Sequence, residues 1–195
     1  MPAPRPDPDE LEALGGRLLV AAPQLTDPNF TRTVVLLLEH GAAGAVGLVL
    51  NRPMHVEVAE ILDQWAELAG RSAPGVMFSG GPVSPDAVIG LGRPDPVTAP
   101  AQWRGVVEEA AVVDLSVPPQ EQPVPLDAVR LFSGYAGWGE TQLEQELAEN
   151  AWFVFDAMPG DVFATAPERL WHDVLQRQGG TLAMLASYPP SPSVN

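Results

Sequence analysis

Two serines follow apolar runs at places where the nucleophile of a hydrolase could stand. Ser79 lies in the sequence FSGGP and Ser133 lies in FSG, each at the end of a predicted strand. The strained turn that exposes a nucleophilic serine reads G-x-S-x-G, and neither serine has the preceding glycine. The chain also contains no cysteine, which excludes a thiol nucleophile and a thiolate metal site. These observations argue against nucleophilic hydrolysis.

The three histidines, His40, His55 and His172, are too far apart in the sequence to form a compact metal-binding motif. Glu39 stands beside His40, but adjacent side chains on an extended chain point to opposite faces. His40 is therefore interpreted as a structural residue that forms a hydrogen bond at a strand end. Convergence of His40 with other groups in the folded chain stays open as an alternative. The sequence predicts no metal and no cofactor.

A glycine-rich segment at residues 133–139, SGYAGWG, is predicted to be a turn that joins a strand to a helix. Helix N-termini attract anions, but the spacing G-x-x-G-x-G matches neither the dinucleotide fingerprint nor a P-loop. No lysine follows, and Glu140 occupies the place that a phosphate would take. Gly134 and Gly137 are interpreted as positions of close backbone approach, with Trp138 packed over the turn. A ligand-lining role for these residues is the alternative.

The charge of the chain disfavours nucleic acid as a direct partner. The 195 residues include 25 acidic and ten basic side chains, which gives a net charge of −15. The basic residues are scattered and form no patch that could neutralise phosphates. The acidic residues gather on two predicted helices. They are interpreted as solvated faces, with docking to a basic protein as the alternative.

The pattern of apolar residues places these groups on strands and helices. Short runs rich in valine and leucine predict strands at 17–22, 33–39, 45–50, 76–78, 87–91, 106–108, 111–115, 129–132 and 152–155. Helical periodicity predicts helices at 57–68, 140–150 and 165–179, the first with an apolar face of Val58, Ile61, Leu62, Trp65 and Leu68. Strands and helices alternate irregularly, which favours an α+β domain with a mixed or antiparallel sheet.

The ends of the chain differ from its middle. Prolines alternate at positions 2, 4, 6 and 8, and three more lie between 189 and 192. Residues 1–10 and 188–195 are therefore expected to be flexible proline-rich tails around one domain at 11–187. The sequence has no secretory signal and no apolar run near the ~20 residues that span a bilayer, so a cytoplasmic location without membrane contact is expected.

Several motifs in order resemble the YqgE/AlgH family of bacterial proteins. They are LVAAPQLTDPNFTRTVV from residue 19, EH at 39, GAVGLVLNRP from 44, GGPV from 80 and SGYAGWGETQLEQEL from 133. The resemblance extends from about Gly16 to Gly180. It implies a single α+β domain with a mixed, mostly antiparallel, bifurcated β-sheet that includes a small closed barrel and is flanked by helices.

The resemblance also brings the label of a transcriptional regulator, but no agreed catalytic residues that could be transferred. The motif positions are candidates for a shared surface or ligand pocket. These candidates are His40, Asn51, Arg52, Gly80, Gly81, Gly134, Gly137 and Trp138.

Three functions are compatible with these observations. The leading hypothesis is a non-catalytic cytoplasmic protein that binds a partner protein or a small ligand. The first alternative is an enzyme with His40 as base, Asn51 or Arg52 as anion anchor and the glycine turns as N–H donors. The second alternative is a regulator that binds DNA directly, which the net charge disfavours. The sequence leaves the oligomeric state open.

Overall fold

The computed structural model of the chain describes residues 14–98 and 105–187. The tails expected at 1–10 and 188–195 lie outside the described residues, so the domain limits stay predictions. None of the described helices is long and apolar enough to cross a membrane.

The described residues form one α+β domain, as expected, with nine strands and four α-helices. The strands are β1 Arg17–Ala21, β2 Val34–Gly41, β3 Gly44–Val49, β4 Pro53–Glu57, β5 Val76–Ser79, β6 Val83–Pro94, β7 Ala111–Val113, β8 Leu126–Trp138 and β9 Trp152–Asp156. The helices are α1 Val58–Gly70, α2 Gln142–Ala148, α3 Leu170–Gln178 and α4 Gly180–Ala186.

All nine strands belong to one mixed sheet in which β8 has three neighbours. The main path runs β4-β5-β8-β3-β2-β1-β9, and β6 branches from β8 and carries β7. Only the β5–β8 pair of these ladders is parallel. On one side β8 pairs with β6, and on the other side its neighbour changes from β5 at Ser133 to β3 at Ala136. This change divides the sheet into two branches.

The small closed barrel implied by the resemblance is not formed. Closure needs the two ends of a strand path to share hydrogen bonds, because only pairing of the end strands removes the edges of a sheet. Among the described strands, β4 pairs only with β5 and β9 pairs only with β1. The branch through β6 also ends at β7, so the sheet stays open.

Strands β1 and β2 are buried on both faces, which explains their uninterrupted apolar sequences. Leu18 and Leu36 pack on the face covered by α3, with Trp171 and Val174. Their neighbours, Leu19 among them, pack on the opposite face, which α2 covers. A third apolar cluster lies beneath α1 against the β5–β8 branch.

Helix α1 confirms most of the predicted apolar face, and Trp65 is fully buried as expected. Val58 and Leu68 are buried with it, but Ile61 is 51% exposed, so the expectation for Ile61 is wrong. The backbone at Leu62 has φ −141° and ψ 73°, which are not helical angles. This interruption means that the residues before and after Leu62 do not follow one continuous helical periodicity.

Three other elements differ from the sequence predictions. No strand was predicted at β4, an edge strand that begins with Pro53, where a first-position proline is tolerated. The strand predicted at 106–108 is reduced to a single bridge between Val107 and Ala110. Helix α3 ends at Gly179, whose positive φ of 71° turns the chain. Helix α4, which was not predicted, begins at the next residue, Gly180.

The glycine-rich turn predicted at 133–139 is wrong, because β8 continues through this segment to Trp138. Gly134 lies inside the strand with φ +69°, a conformation that side chains disfavour. A Cβ on Gly134 would lie 2.6 Å from the carbonyl oxygen of Gly81, and one on Gly80 would lie 2.3 Å from that of Gly134. The turn before β6 therefore touches β8 backbone to backbone, as the interpretation of close approach predicts for Gly134. The same interpretation is wrong for Gly137, where a Cβ would meet only side-chain atoms, at 3.5 Å or more.

We expect Gly134→Ala to destabilise the protein by about 2–4 kcal/mol, because the added methyl group meets backbone atoms and the positive φ adds strain. Gly41→Ala is the matched control, since a Cβ on Gly41 has no neighbour within 4 Å. Urea unfolding followed by tryptophan fluorescence measures both variants. Equal midpoints for the two variants would contradict this account of the glycine contact.

A buried arginine fixes β8 to the loops that cross it. Arg130 is 2% exposed, and its guanidinium donates to the carbonyl oxygens of Val162 at 2.7 Å, Ala73 at 3.0 Å and Ala164 at 3.1 Å. The same group lies 4.4 Å from the ring centre of Phe78. Arg130 thus joins the end of α1, the centre of the sheet and the loop before α3. Sequence analysis did not single out this residue.

The burial of Arg130 has an electrostatic cost. Desolvation lowers the pKa of Arg130 to about 10, Glu109 acts to raise that pKa and Arg93 acts to lower it. The Glu109 carboxylate also accepts hydrogen bonds from the N–H groups of Gly160 at 2.7 Å and Val162 at 3.2 Å. The guanidinium is therefore held by neutral carbonyl groups and one nearby negative charge.

We expect Arg130→Ala to lower the free energy of unfolding by about 3–5 kcal/mol, because it leaves three carbonyl groups without their donor and opens a cavity. Arg130→Lys should recover only part of this loss, since a single ammonium group lacks the fork geometry. Arg71→Ala removes an arginine with a half-exposed side chain and should change stability by less than about 1 kcal/mol. A loss for Arg130→Ala no larger than for Arg71→Ala would refute the structural role.

Candidate functional site

Asn51 joins the end of β3 to the chain that enters β2. It is 7% exposed; its Oδ1 accepts from the N–H of Val34 and its Nδ2 donates to the carbonyl of Arg32, both at 2.9 Å. An asparagine suits this place because its amide has both an acceptor and a donor. Both functions of the amide are used within the fold, so Asn51 shapes the site rather than offering a free group to it.

Arg52 follows at the surface and lies against the loop of residues 22–33, here named the β1–β2 loop. Its Nη2 donates to the carbonyl of Thr31 at 2.6 Å, and its own carbonyl accepts from the N–H of Ser79 at 2.9 Å. A guanidinium has five N–H donors, so one contact with a carbonyl leaves others for a ligand. Arg52 is thus held in place by two segments and is still able to bind an anion.

Arg52 is a lining residue of two cavities. The small cavity has a volume of about 200 Å³ and is lined by Pro28, Asn29, Val49, Arg52, Ser79, Gly81 and Pro82. The large cavity has a volume of about 660 Å³ and is lined by Thr31, Arg32, Asn51, Arg52, Pro53, Met54, His55, Pro74, Val76 and Glu168. The β1–β2 loop and the β3–β4 turn contribute to both, so a single ligand could contact both cavities.

The charges around these cavities contrast with the rest of the acidic chain. None of the seven described residues that line the small cavity is acidic. The large cavity has Arg32, Arg52 and His55 on its walls and one carboxylate, Glu168. The guanidinium carbon of Arg32 lies 4.8 Å from the ring centre of Trp171 in α3. Both cavities therefore have positively charged lining residues, although the protein has a net charge of −15.

The predicted site residues divide into two groups. Asn51 and Arg52 lie beside Gly80, Gly81 and Gly134, because Gly80 accepts from the N–H of Val49 at 2.9 Å and Gly81 lines the small cavity. Gly80 and Gly134 line neither cavity but lie in close backbone contact beside Gly81. The structure thus brings these five positions close together, and Asn51, Arg52 and Gly81 are the ones that line a cavity.

His40, Gly137 and Trp138 lie at the other end of the sheet. His40 pairs with Ala45 in the β2–β3 hairpin, and Ala45 pairs with Trp138 of β8. Val34, which contacts Asn51, and His40 are six positions apart in β2. At about 3.3 Å per position, the distance between their Cα atoms along the strand is roughly 20 Å. His40 is thus too distant to act as a base on a ligand bound at Arg52.

The second end of the sheet is an aromatic cluster closed by α2. Trp138 and Trp152 both donate their indole N–H to one oxygen of Glu146, at 3.0 Å and 2.7 Å. Phe30 of the β1–β2 loop contacts both indoles, with ring centres 5.9 Å and 5.5 Å away. His40 bonds through Nε2 to Glu144 at 2.9 Å, with a side chain only 3% exposed. His40 thus has the contact expected of a structural residue at a strand end.

These contacts change the interpretation of the acidic helices as solvated faces. Glu144 and Glu146 of α2 are engaged with the sheet rather than presented only to solvent. In α1, Glu67 forms an ion pair with Arg71 at 2.7 Å but its side chain is still 83% exposed, as a solvated face requires. The expectation of a solvated acidic face is therefore wrong for Glu144 and Glu146 and holds for Glu67.

We expect Glu146→Gln to destabilise the protein by about 1–3 kcal/mol, because both indole donors lose a charged acceptor. The tryptophan emission should also change, since Trp138 and Trp152 both contact this carboxylate. Glu149→Gln, on the exposed end of the same helix, is the control and should leave unfolding and emission unchanged. Identical unfolding curves for the two variants would contradict the assigned role of Glu146.

Within residues 14–98 and 105–187, no group of three or more histidine and acidic side chains is arranged to hold a metal ion. The structure adds lining residues that sequence reasoning did not propose, chiefly Asn29, Arg32 and Ser79 as site residues. Arg32 could have been found from strand pairing. In an antiparallel hairpin, the residues just before β2 and just after β3 must meet at one edge, which places Arg32 near Arg52.

Comparisons with known proteins were consistent with one another. The model of the AlgH-like family matches residues 18–183. The UPF0301 protein of Streptomyces coelicolor is 53% identical over 190 residues, covering 95% of this chain and 97% of the relative. The UPF0301 protein of Mycobacterium tuberculosis is 38% identical over 199 residues, covering 97% of each chain.

Two solved structures are similar over nearly the whole chain. A crystal structure of a Corynebacterium diphtheriae protein has a TM-score of 0.82 with 29% identity, and 95% of each chain is covered. The solution structure of the AlgH protein of Pseudomonas aeruginosa has a TM-score of 0.63 with 30% identity, covering 96% of this chain and 98% of the other. The names of these proteins specify no reaction and no ligand.

Proposed function

The chain belongs to the YqgE/AlgH family, and on that premise we propose that it is a non-catalytic binding protein whose small anionic ligand occupies the cavities around Arg52. The observation that carries this proposal is the placement of Arg52 at the junction of two cavities in a strongly acidic chain. Asn51 and Gly81 support it because they line the cavities. Gly80 and Gly134 support it because their backbone contacts lie beside Gly81.

The size and lining of the larger cavity support a small organic ligand. Its volume of about 660 Å³ lies in the range of roughly 300–1,000 Å³ that is usual for ligand pockets. Pro53, Met54, Pro74 and Val76 offer apolar surface, while the arginines offer charge. Apolar surface beside placed polar groups is the common arrangement by which pockets bind and orient organic ligands.

The enzymatic alternative has less support. Its proposed base, His40, faces Glu144 at the opposite end of the sheet. General base catalysis requires a group within hydrogen-bond reach of the reacting proton, directly or through one water. A base roughly 20 Å from the anion anchor fails that requirement.

The proposal also gives a limited meaning to the regulator label. A cytoplasmic protein of net charge −15 would influence transcription through a bound ligand or partner protein rather than through phosphate contacts to DNA. Such a role is consistent with the hypothesis of a non-catalytic binding protein, with the ligand-bound form as the one recognised by a partner.

We expect a panel of small organic carboxylates and phosphate esters, with benzoate and phenyl phosphate among them, to stabilise the wild-type protein at low salt. A ligand at 100 times its Kd adds about 2.7 kcal/mol to the stability of the folded state, which raises Tm measurably. Neutral benzamide should produce a smaller shift than benzoate, because it lacks the charge that arginine recognises.

Variants at Arg52 decide whether this binding uses the proposed site. Arg52→Gln should raise the Kd of the bound anions about tenfold, Arg52→Lys should recover part of the affinity, and Arg71→Gln on α1 should have no effect. Isothermal titration calorimetry measures each Kd. If no member of the panel bound in an Arg52-dependent way, the proposed function would be wrong.

A further inference from the structure

We propose that the ligand is a phosphate monoester of a small organic molecule, with its phosphate in the small cavity and its organic part in the large one. This inference rests on the proposed function and adds the chemical class of the ligand. It follows from the different chemistry of the two cavities and from the position of Arg52, which lines both of them.

The small cavity has the size and the groups for a compact polyatomic anion. Its volume of about 200 Å³ is less than a third of that of the large cavity and is sufficient for a compact anion. Arg52, the Asn29 amide and the Ser79 hydroxyl supply donors, and none of the seven described lining residues is acidic. Such a set of donors without a carboxylate favours an anion over a cation or an apolar group.

Hydrogen bonds hold the backbone of the segments around the small cavity, so the segments that carry its donors are in place before a ligand arrives. The N–H of Asn29 donates to Oδ1 of Asp27 at 2.8 Å, and the N–H of Ser79 donates to the carbonyl of Arg52 at 2.9 Å. Gly81 has φ +150° and contacts β8 so closely that a Cβ would lie 2.3 Å from the carbonyl carbon of Tyr135. Placement of the donors in advance reduces the entropy lost on binding.

A phosphate fits this cavity better than a carboxylate because it presents more acceptor oxygens in three dimensions. A carboxylate has two oxygens in one plane, whereas a phosphate monoester has three terminal oxygens and a charge of about −1.5 to −2 at pH 7. Asn29, Arg52 and Ser79 belong to three separate segments around the cavity. A tetrahedral group can accept from all three, and the ester oxygen then directs the organic part past Arg52.

The large cavity suits the organic part of such a molecule. It is more than three times as large as the small cavity, and four of its ten lining residues are proline, methionine or valine. Arg32 and His55 add polar contacts, and Glu168 offers an acceptor for a hydroxyl or amino group. Arg52 lies where the two parts of the ligand join, so its loss should weaken both carboxylates and phosphate esters.

The test compares phenyl phosphate with benzoate by isothermal titration calorimetry at pH 8, where the phosphate is a dianion. We expect phenyl phosphate to bind wild-type protein about tenfold more tightly than benzoate. Ser79→Asp places a negative charge in the small cavity and should raise the Kd of phenyl phosphate at least about tenfold, while changing that of benzoate less than about twofold. Ser79→Asn is the neutral control and should keep the preference for the phosphate.

Asn29→Asp provides a second, independent variant on the exposed β1–β2 loop, and thermal unfolding verifies that each variant is folded. Equal affinities for the two probes, or equal weakening of both by the aspartate variants, would overturn the phosphate assignment. The proposed function would survive that result if Arg52→Gln still weakened both probes. Absence of saturable binding by either probe would refute both proposals. A phosphoserine peptide that bound more than about tenfold tighter than phenyl phosphate would overturn the assignment to a small molecule.

Discussion

The contact between two backbone segments at Gly80, Gly81 and Gly134 allows one strand to serve two branches of the sheet. Strand β8 exchanges its neighbour β5 for β3 close to Gly134, where the chain has a positive φ. At that point the turn before β6 approaches β8 more closely than any side chain would permit. Glycine is required because the space that a Cβ would occupy is already filled by backbone atoms. The position of the β3–β4 turn and both cavities depend on this contact.

The β1–β2 loop connects the two ends of the sheet. Phe30 packs against the indoles of Trp138 and Trp152, and residues on either side of it line the cavities. Hydrogen bonds from Thr31 to the carbonyls of Leu25 and Asp27 keep the loop compact. The aromatic cluster therefore supports the loop that lines both cavities. The β1–β2 loop thus connects motif residues at the two ends of the sheet.

The sequence predicted the candidate site in part. Asn51 and Arg52 were identified by their position after a strand, and pairing of β2 with β3 places them against Arg32. His40, Asn51 and Arg52 all belong to motifs of one family resemblance, which predicts a shared pocket. A linear motif does not specify which end of a strand its residues occupy, and β2 separates His40 from Asn51 by most of its length. The enzyme hypothesis required a short distance between His40 and Arg52, which the sequence does not specify.

The sequence by itself determined the local structure wherever apolar periodicity was strong, together with the α+β class, the exclusion of cysteine chemistry and the net charge. An uninterrupted apolar run and an apolar helical face are both local patterns, so β1, β2 and most of α1 could be predicted from the sequence. Only the tertiary structure decided that β8 continues through Gly134, that the sheet stays open and that Arg130 is buried among carbonyl groups. These features depend on contacts between segments distant in the chain, such as that between Gly81 and Gly134, which periodicity does not encode.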